Sequence, residues 1–90
     1  MRFEWDPEKA RRNLAKHGVS FDEAATAFAD VLSLTTFDPD HSEDEDRYIL
    51  LGATHAARLV VVSLTYRGEN VRIISARIAS RRERRIYASG

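Results

Sequence analysis

Ninety residues, 43% of them hydrophobic, suffice for one modest core and one domain, not two. With no cysteine the chain excludes disulfides, thiolate-bound zinc and a thiol nucleophile, and it fits a reducing cytoplasm; no apolar run approaches the ~20 residues of a membrane span, and no signal peptide is expected behind Met1. The net charge is zero, yet residues 18–46 carry nine acids and no Lys or Arg, while residues 67–90 carry seven Arg against two Glu, an asymmetry that suits nucleic acid or a charged partner.

Phe3, Glu4 and Trp5 read as a short extended segment. Asp6-Pro7 then starts a helix, because Asp caps free amides and Pro at the first helical position lacks the amide that would need a partner. That helix runs through Lys9 and Asn13 to His17 and stops at Gly18. Ser20 and Glu23 have capping-box spacing, with Val19 and Ala24 placed as a staple. Phe21, Ala24, Ala25 and Phe28 form one apolar stripe of a second helix that ends near Asp30. Residues 31–37 are rich in β-formers and predict a strand that Asp38-Pro39-Asp40 stops. Residues 41–46 form an acidic loop. Strands follow over 47–53, 58–66 and 71–76, separated by turns at 54–57 and at Arg67-Gly68-Glu69-Asn70. Ile73 and Ile74 make the last strand apolar on both faces, so it is expected to be central. Ser80 and Glu83 repeat the capping-box spacing and open a final helix to Tyr87. The order β-α-α-β-β-β-β-α predicts an α+β domain: a four-stranded antiparallel sheet plus the short N-terminal strand, with helices packed on one face.

Few residues invite a metal or a covalent intermediate. His17, His41 and His55 form no paired ligand motif, and Asp38, Asp40, His41 and Glu43 do not match a calcium loop. There is no GxSxG and no Gly-rich phosphate loop. No metal and no cofactor is expected. His17 just before Gly18 fits a helix end, and His41 and His55 read as loop residues.

Arginine is what remains. By the two-residue period of a strand, Arg77 shares a face with Val71, Ile73 and Ser75, where a charge is costly unless it is paired, for instance with Glu83, or binds phosphate. RNA cleaves when its 2′-hydroxyl attacks the adjacent phosphate, and cationic side chains can supply the charge stabilisation without a metal. Lys9 and Arg77 are the types that stabilise a phosphorane, and Glu83 or Tyr87 the types that move protons or orient the arginine. Arg67, Arg72 and Arg81 are the candidate RNA-binding cations, and Tyr66 beside Arg67 is the candidate to stack on a base.

Phe3-Glu4-Trp5-Asp6 with Lys9, Asn13 and Lys16-His17-Gly18-Val19, followed by Phe21-Asp22-Glu23-Ala24, Phe28 and Asp30, resembles the opening of the BrnT family. Asp40-His41, Glu45, Arg47 and Gly52 continue the resemblance, which is strongest at Val71-Arg72-Ile73-Ile74-Ser75-Ala76-Arg77 with Ala79, Arg82-Glu83-Arg84 and Tyr87. Where family members often carry an acid before the Arg-Gly of the last hairpin, this chain has Tyr66. The resemblance implies a RelE-like fold and a metal-independent endoribonuclease toxin of a type II toxin–antitoxin system. It also implies a BrnA-like ribbon-helix-helix antitoxin, a heterotetramer or higher complex with it, and operator DNA bound only through that antitoxin. The acidic stretch, through Asp40, Asp44, Glu45 and Asp46, suits a basic antitoxin segment. The alternative is a non-catalytic module that serves as partner or corepressor of a DNA-binding protein.

Overall fold

The computed structural model describes residues 1–90, in the order β1 (Arg2–Glu4), α1 (Pro7–His17), α2 (Phe21–Thr26), β2 (Leu34–Phe37), β3 (Arg47–Ala53), β4 (Leu59–Arg67), β5 (Asn70–Ile78) and α3 (Arg81–Ser89), with single 3-10 turns at Ala27–Ala29 and Pro39–His41. The element order is the one the sequence predicts. Asp6 accepts the Glu8 N–H at the start of α1, and Gly18 closes that helix in the left-handed region at φ 69°, where a side chain would be strained. Ser20 caps α2, and Ser80 with Glu83 forms a reciprocal capping box on α3.

The sheet differs from the expected one in two respects. It is a single mixed sheet of five strands, ordered β1-β5-β4-β3-β2. Strands β2 to β5 form the antiparallel meander, but β1 joins as a full edge strand, parallel to β5, with Phe3 opposite Val71. Side-chain contacts hold it there: Phe3 packs edge-on against Phe28 at 5.0 Å, and Glu4 accepts from Arg72 at 2.9 Å and from Asn70 at 3.1 Å.

The helices also lie on both faces rather than one. Helices α1 and α2 cover the face where Leu50, Val60, Val62, Leu64 and Ile73 pack with Val19, Phe21 and Ala24. On the opposite face Leu51, Leu59, Val61 and Ala79 form a smaller cluster, and Tyr87 of α3 packs on it. Strands β3 and β4 are apolar on both sides, so the second side needs its own cover.

A β-bulge decides which face each Arg of β5 reaches. Ser63 pairs with Ser75 but Leu64 pairs with Ile73, which leaves Ile74 without a partner. The alternation therefore breaks at Ile74. Val71 and Ile73 point to the α1/α2 core, whereas Ser75 and Arg77 point to the α3 side. Arg77 does not share the face of Val71 and Ile73, contrary to the unbroken two-residue period. Beyond β1 the edge of β5 is completed by Asn13. Its buried amide donates to Ala76 O at 2.8 Å and Val19 O at 3.0 Å, and accepts from the Ala76 N–H at 3.1 Å.

Candidate active site

The open half of the α3-side face is a depression of about 310 Å³ lined by Asp38, His41, Arg47, Ser63, Ser75 and Arg77 on a floor of Ile49, Val61 and Ile74. The loop after β2 builds one wall. Pro39 starts a 3-10 turn that ends at His41, and the Ser42 hydroxyl donates to Asp38 O while accepting the Arg47 N–H at 2.9 Å. This clip closes the loop onto the start of β3 and brings His41 to the depression. His41 Nδ1 lies 2.8 Å from Asp38 Oδ2. A carboxylate only accepts, so Nδ1 carries the hydrogen of this contact, and in the neutral ring Nε2 is then the nitrogen with the lone pair.

Two arginines complete the lining. The Nε of Arg47 is buried and has no hydrogen-bond partner in the chain, and a buried donor of that kind is costly unless it meets an acceptor. Arg77 reaches the opposite wall from β5. Its Nη1 and Nη2 each donate to Glu83 at 2.8 Å, a bidentate pair. Hydrogen bonds from Arg77 lower the Glu83 carboxyl to about 2, with further help from Ser80, and raise Arg77 above its ordinary value. Glu83 thus stays ionised near neutral pH and orients the arginine, which suits it poorly to taking up a proton.

The other sequence-predicted residues are distributed around this centre. Tyr87 donates to Asp30 Oδ2 at 2.6 Å, a bond that raises its hydroxyl pKa and ties α3 to the turn before β2. Lys9 lies in a separate, shallow basic depression with Arg12, Lys16 and His17; Ile74 at the bulge borders both. Arg72 is held by Glu4, and Arg67 lies 3.6 Å from Glu45. Arg81 is exposed at the start of α3. Tyr66 is half-exposed and sits edge-on to Tyr48 at 5.2 Å, in a row continued by Phe37 at 5.6 Å, on the α1/α2 side of the sheet. Asp40, Glu43, Asp44 and Glu45 line a second depression of about 280 Å³ that shares His41 and Arg47 with the first; Asp46 lies outside its lining.

His41, Asp38 and Arg47 line this depression, whereas the sequence assigns His41 a loop role, sets Asp38 and His41 aside as metal ligands and offers Arg47 only within the family resemblance. The available signal was Asp38-Pro39-x-His41, a three-residue separation across a Pro-started turn that brings the two side chains to one side. The role of Arg47 depends on a strand pairing that no local pattern reveals.

The chain matches the family model described as ribonuclease toxin, BrnT, of type II toxin-antitoxin system over residues 5–83. It is similar to the crystal structure of the Brucella abortus ribonuclease toxin, BrnT, with a TM-score of 0.66 and 26% identity over 90% of this chain and 99% of that one. No curated protein sequence matches it.

Proposed function

The chain belongs to the BrnT family of ribonuclease toxins of type II toxin–antitoxin systems, and from that premise we propose a RelE-like, metal-independent endoribonuclease whose centre is the His41–Arg47–Arg77 depression. The observation that carries this reading is the Asp38–His41 pair opening into the same depression as an arginine with a buried, unpartnered Nε. The RNA phosphate lies between Arg47 and Arg77. His41 Nε2 takes the proton of the 2′-hydroxyl as its oxygen attacks phosphorus. Charge on the phosphorane oxygens is met by the two guanidiniums. The bond to the 5′-oxygen breaks, that oxygen takes a proton from solvent, and a 2′,3′-cyclic phosphate and a 5′-hydroxyl result. Asp38 holds the imidazole tautomer, and Glu83 holds Arg77. Tyr87 supports the site by anchoring α3, and Lys9 attracts the RNA strand from the neighbouring basic depression together with Arg67, Arg72 and Arg81. Tyr66 supplies a stacking surface. The toxin is restrained in the cytoplasm by a BrnA-like ribbon-helix-helix antitoxin, whose basic segment meets Asp40, Asp44, Glu45 and Asp46, and the heterotetrameric or larger complex represses its own operon.

The test is cleavage of a defined RNA in EDTA. The wild-type chain is expected to leave 2′,3′-cyclic ends. His41→Ala and Arg77→Ala, each checked for a native circular dichroism spectrum, are expected to lose about 100-fold or more of the rate, the size typical of a removed acid–base or oxyanion group. Full activity in folded His41→Ala would remove this centre. Absence of cleavage by every form, with intact partner binding and normal growth, would favour a non-catalytic module.

A further inference from the structure

Strand β2 is one of the two edge strands of the sheet, opposite β1, and Thr35, Thr36 and Phe37 are exposed along it. Asp38 N–H donates to Arg47 O, so the ladder with β3 runs through residues 34, 36 and 38. By the alternation of an antiparallel pair, Thr35 and Phe37 turn their N–H and C=O groups outwards. The strand reads Leu-Thr-Thr-Phe, with no charge and no proline. Edge strands are ordinarily blunted by Lys, Pro or a bulge, and an unblunted one is a template for a further strand.

Both faces of this edge offer apolar contact. On the α3 side, Leu34 borders a groove of about 210 Å³ whose walls include Ile49, Leu51, Val61 and Ile86. On the other side, half-exposed Phe37 ends the aromatic row through Tyr48 and Tyr66. The charges beside the edge have a direction. Arg82 and Arg85 flank Leu34 at one end, and the acidic loop follows Phe37 at the other. Arg81, Arg82, Arg84 and Arg85 have no acidic partner within the chain, and their spacings of three and four residues on α3 repel. Such a helix gains most from an anionic neighbour.

We propose that the outer edge of β2 receives an extended segment of the antitoxin as a sixth strand, apolar at alternate positions, acidic where it passes Arg82 and Arg85, and basic where it passes the loop at 38–46. This rests on the toxin–antitoxin reading above. A second copy of the chain is a poorer occupant: antiparallel β2–β2 pairing is related by an axis through the sheet, which would set two arginine-rich α3 helices on the same side. RNA is a poorer one too, because a phosphodiester chain cannot complete a peptide ladder or fill an apolar groove.

Hydrogen exchange on the toxin, alone and co-purified with the protein encoded beside it, tests this. The Thr35 and Phe37 amides are expected to exchange freely in the toxin alone and to slow by about tenfold or more in the complex. The double variant Arg82→Glu, Arg85→Glu is expected to weaken the complex by about tenfold and to leave RNA cleavage by the free chain unchanged. A complex that forms with these two amides still exchanging freely overturns the β2 proposal alone. Failure to form any complex overturns the antitoxin reading and this inference with it. Protection in the toxin alone, with dimers in sedimentation, assigns the edge to a second copy. Loss of cleavage with an intact complex in the double variant assigns the arginines to RNA; either result overturns the proposal.

Discussion

Arg77 enters its depression with both Nη atoms engaged by Glu83, so the site depends on a carboxylate that must remain ionised. Glu83 and Glu23 are both lowered to about 2 from an ordinary 4.5, Glu83 chiefly by Arg77 and Glu23 chiefly by Arg58. A carboxyl whose folded value is lower than its unfolded one stabilises the fold above the unfolded value and loses that contribution as pH falls through the folded one. Melting temperature is therefore expected to fall as pH drops from 4.5 towards 2, and Glu23→Gln to flatten that slope. An equal slope in wild type and variant would show that the Glu23 pair contributes nothing to acid stability. Asn13 makes a sharper case. Truncation to Ala leaves the Ala76 N–H, the Ala76 carbonyl and the Val19 carbonyl without the partners they now have, at an expected loss of about 2–4 kcal/mol, readable as a lowered urea midpoint. In the sequence Asn13 stands as a residue of the first helix and of the family resemblance; its buried role arises from Ala76, 63 residues away. The Arg77–Glu83 pair was among the readings the sequence offered, although it was reached from an apolar-face placement of Arg77 that the bulge at Ile74 overturns.

At the scale of elements, capping chemistry was legible and non-local pairing was not. Asp6, Gly18, Ser20 and Ser80 mark helix ends by hydrogen bonds within a few residues, and these are readable in one dimension. Strand β2 is shorter than its β-rich composition predicts. Asp30 accepts the Leu32 N–H through its side chain and the Ser33 N–H through its carbonyl, both at 3.0 Å, which makes residues 31–33 a turn and leaves Val31 exposed. The same carboxylate accepts from Ala53 and Tyr87, so tertiary partners override local propensity there. The bulge at Ile74 is equally hidden: two adjacent isoleucines look like a strand buried on both faces, whereas one of them is the extra residue that turns Arg77 to the α3 side of the sheet. Deletion of Ile74 is expected to remove the bulge and join the two runs of pairing, with Ile73 opposite Leu64 and Ser75 opposite Ser63 as they are now, so that Arg77 stays on the α3 side and the variant folds cooperatively in a urea titration. A deletion variant that fails to fold would show that the bend of the bulge, and not only its effect on alternation, is needed there.

Across the whole molecule, the charge sorting seen along the sequence becomes a spatial arrangement. The acidic loop, which follows β2, lines the second depression, and Arg82 and Arg85 of α3 lie beside Leu34 at the opposite end of β2. Neutralising Asp44, Glu45 and Asp46 to Asn, Gln and Asn removes charge from the surface proposed for a basic antitoxin segment. Exposed charges act over about a Debye length, ~10 Å at 0.1 M salt, so their effect is expected on the encounter rather than on the lifetime of the complex. The association rate should fall at low ionic strength, by about tenfold for three charges, and converge with that of wild type as salt is raised. The dissociation rate should change little, because it depends on the backbone ladder and apolar groove of β2. Stopped-flow association at two salt concentrations separates these contributions. An unchanged association rate would mean that the acidic loop does not steer the partner and that its charges matter, if at all, only to the fold of the loop around His41.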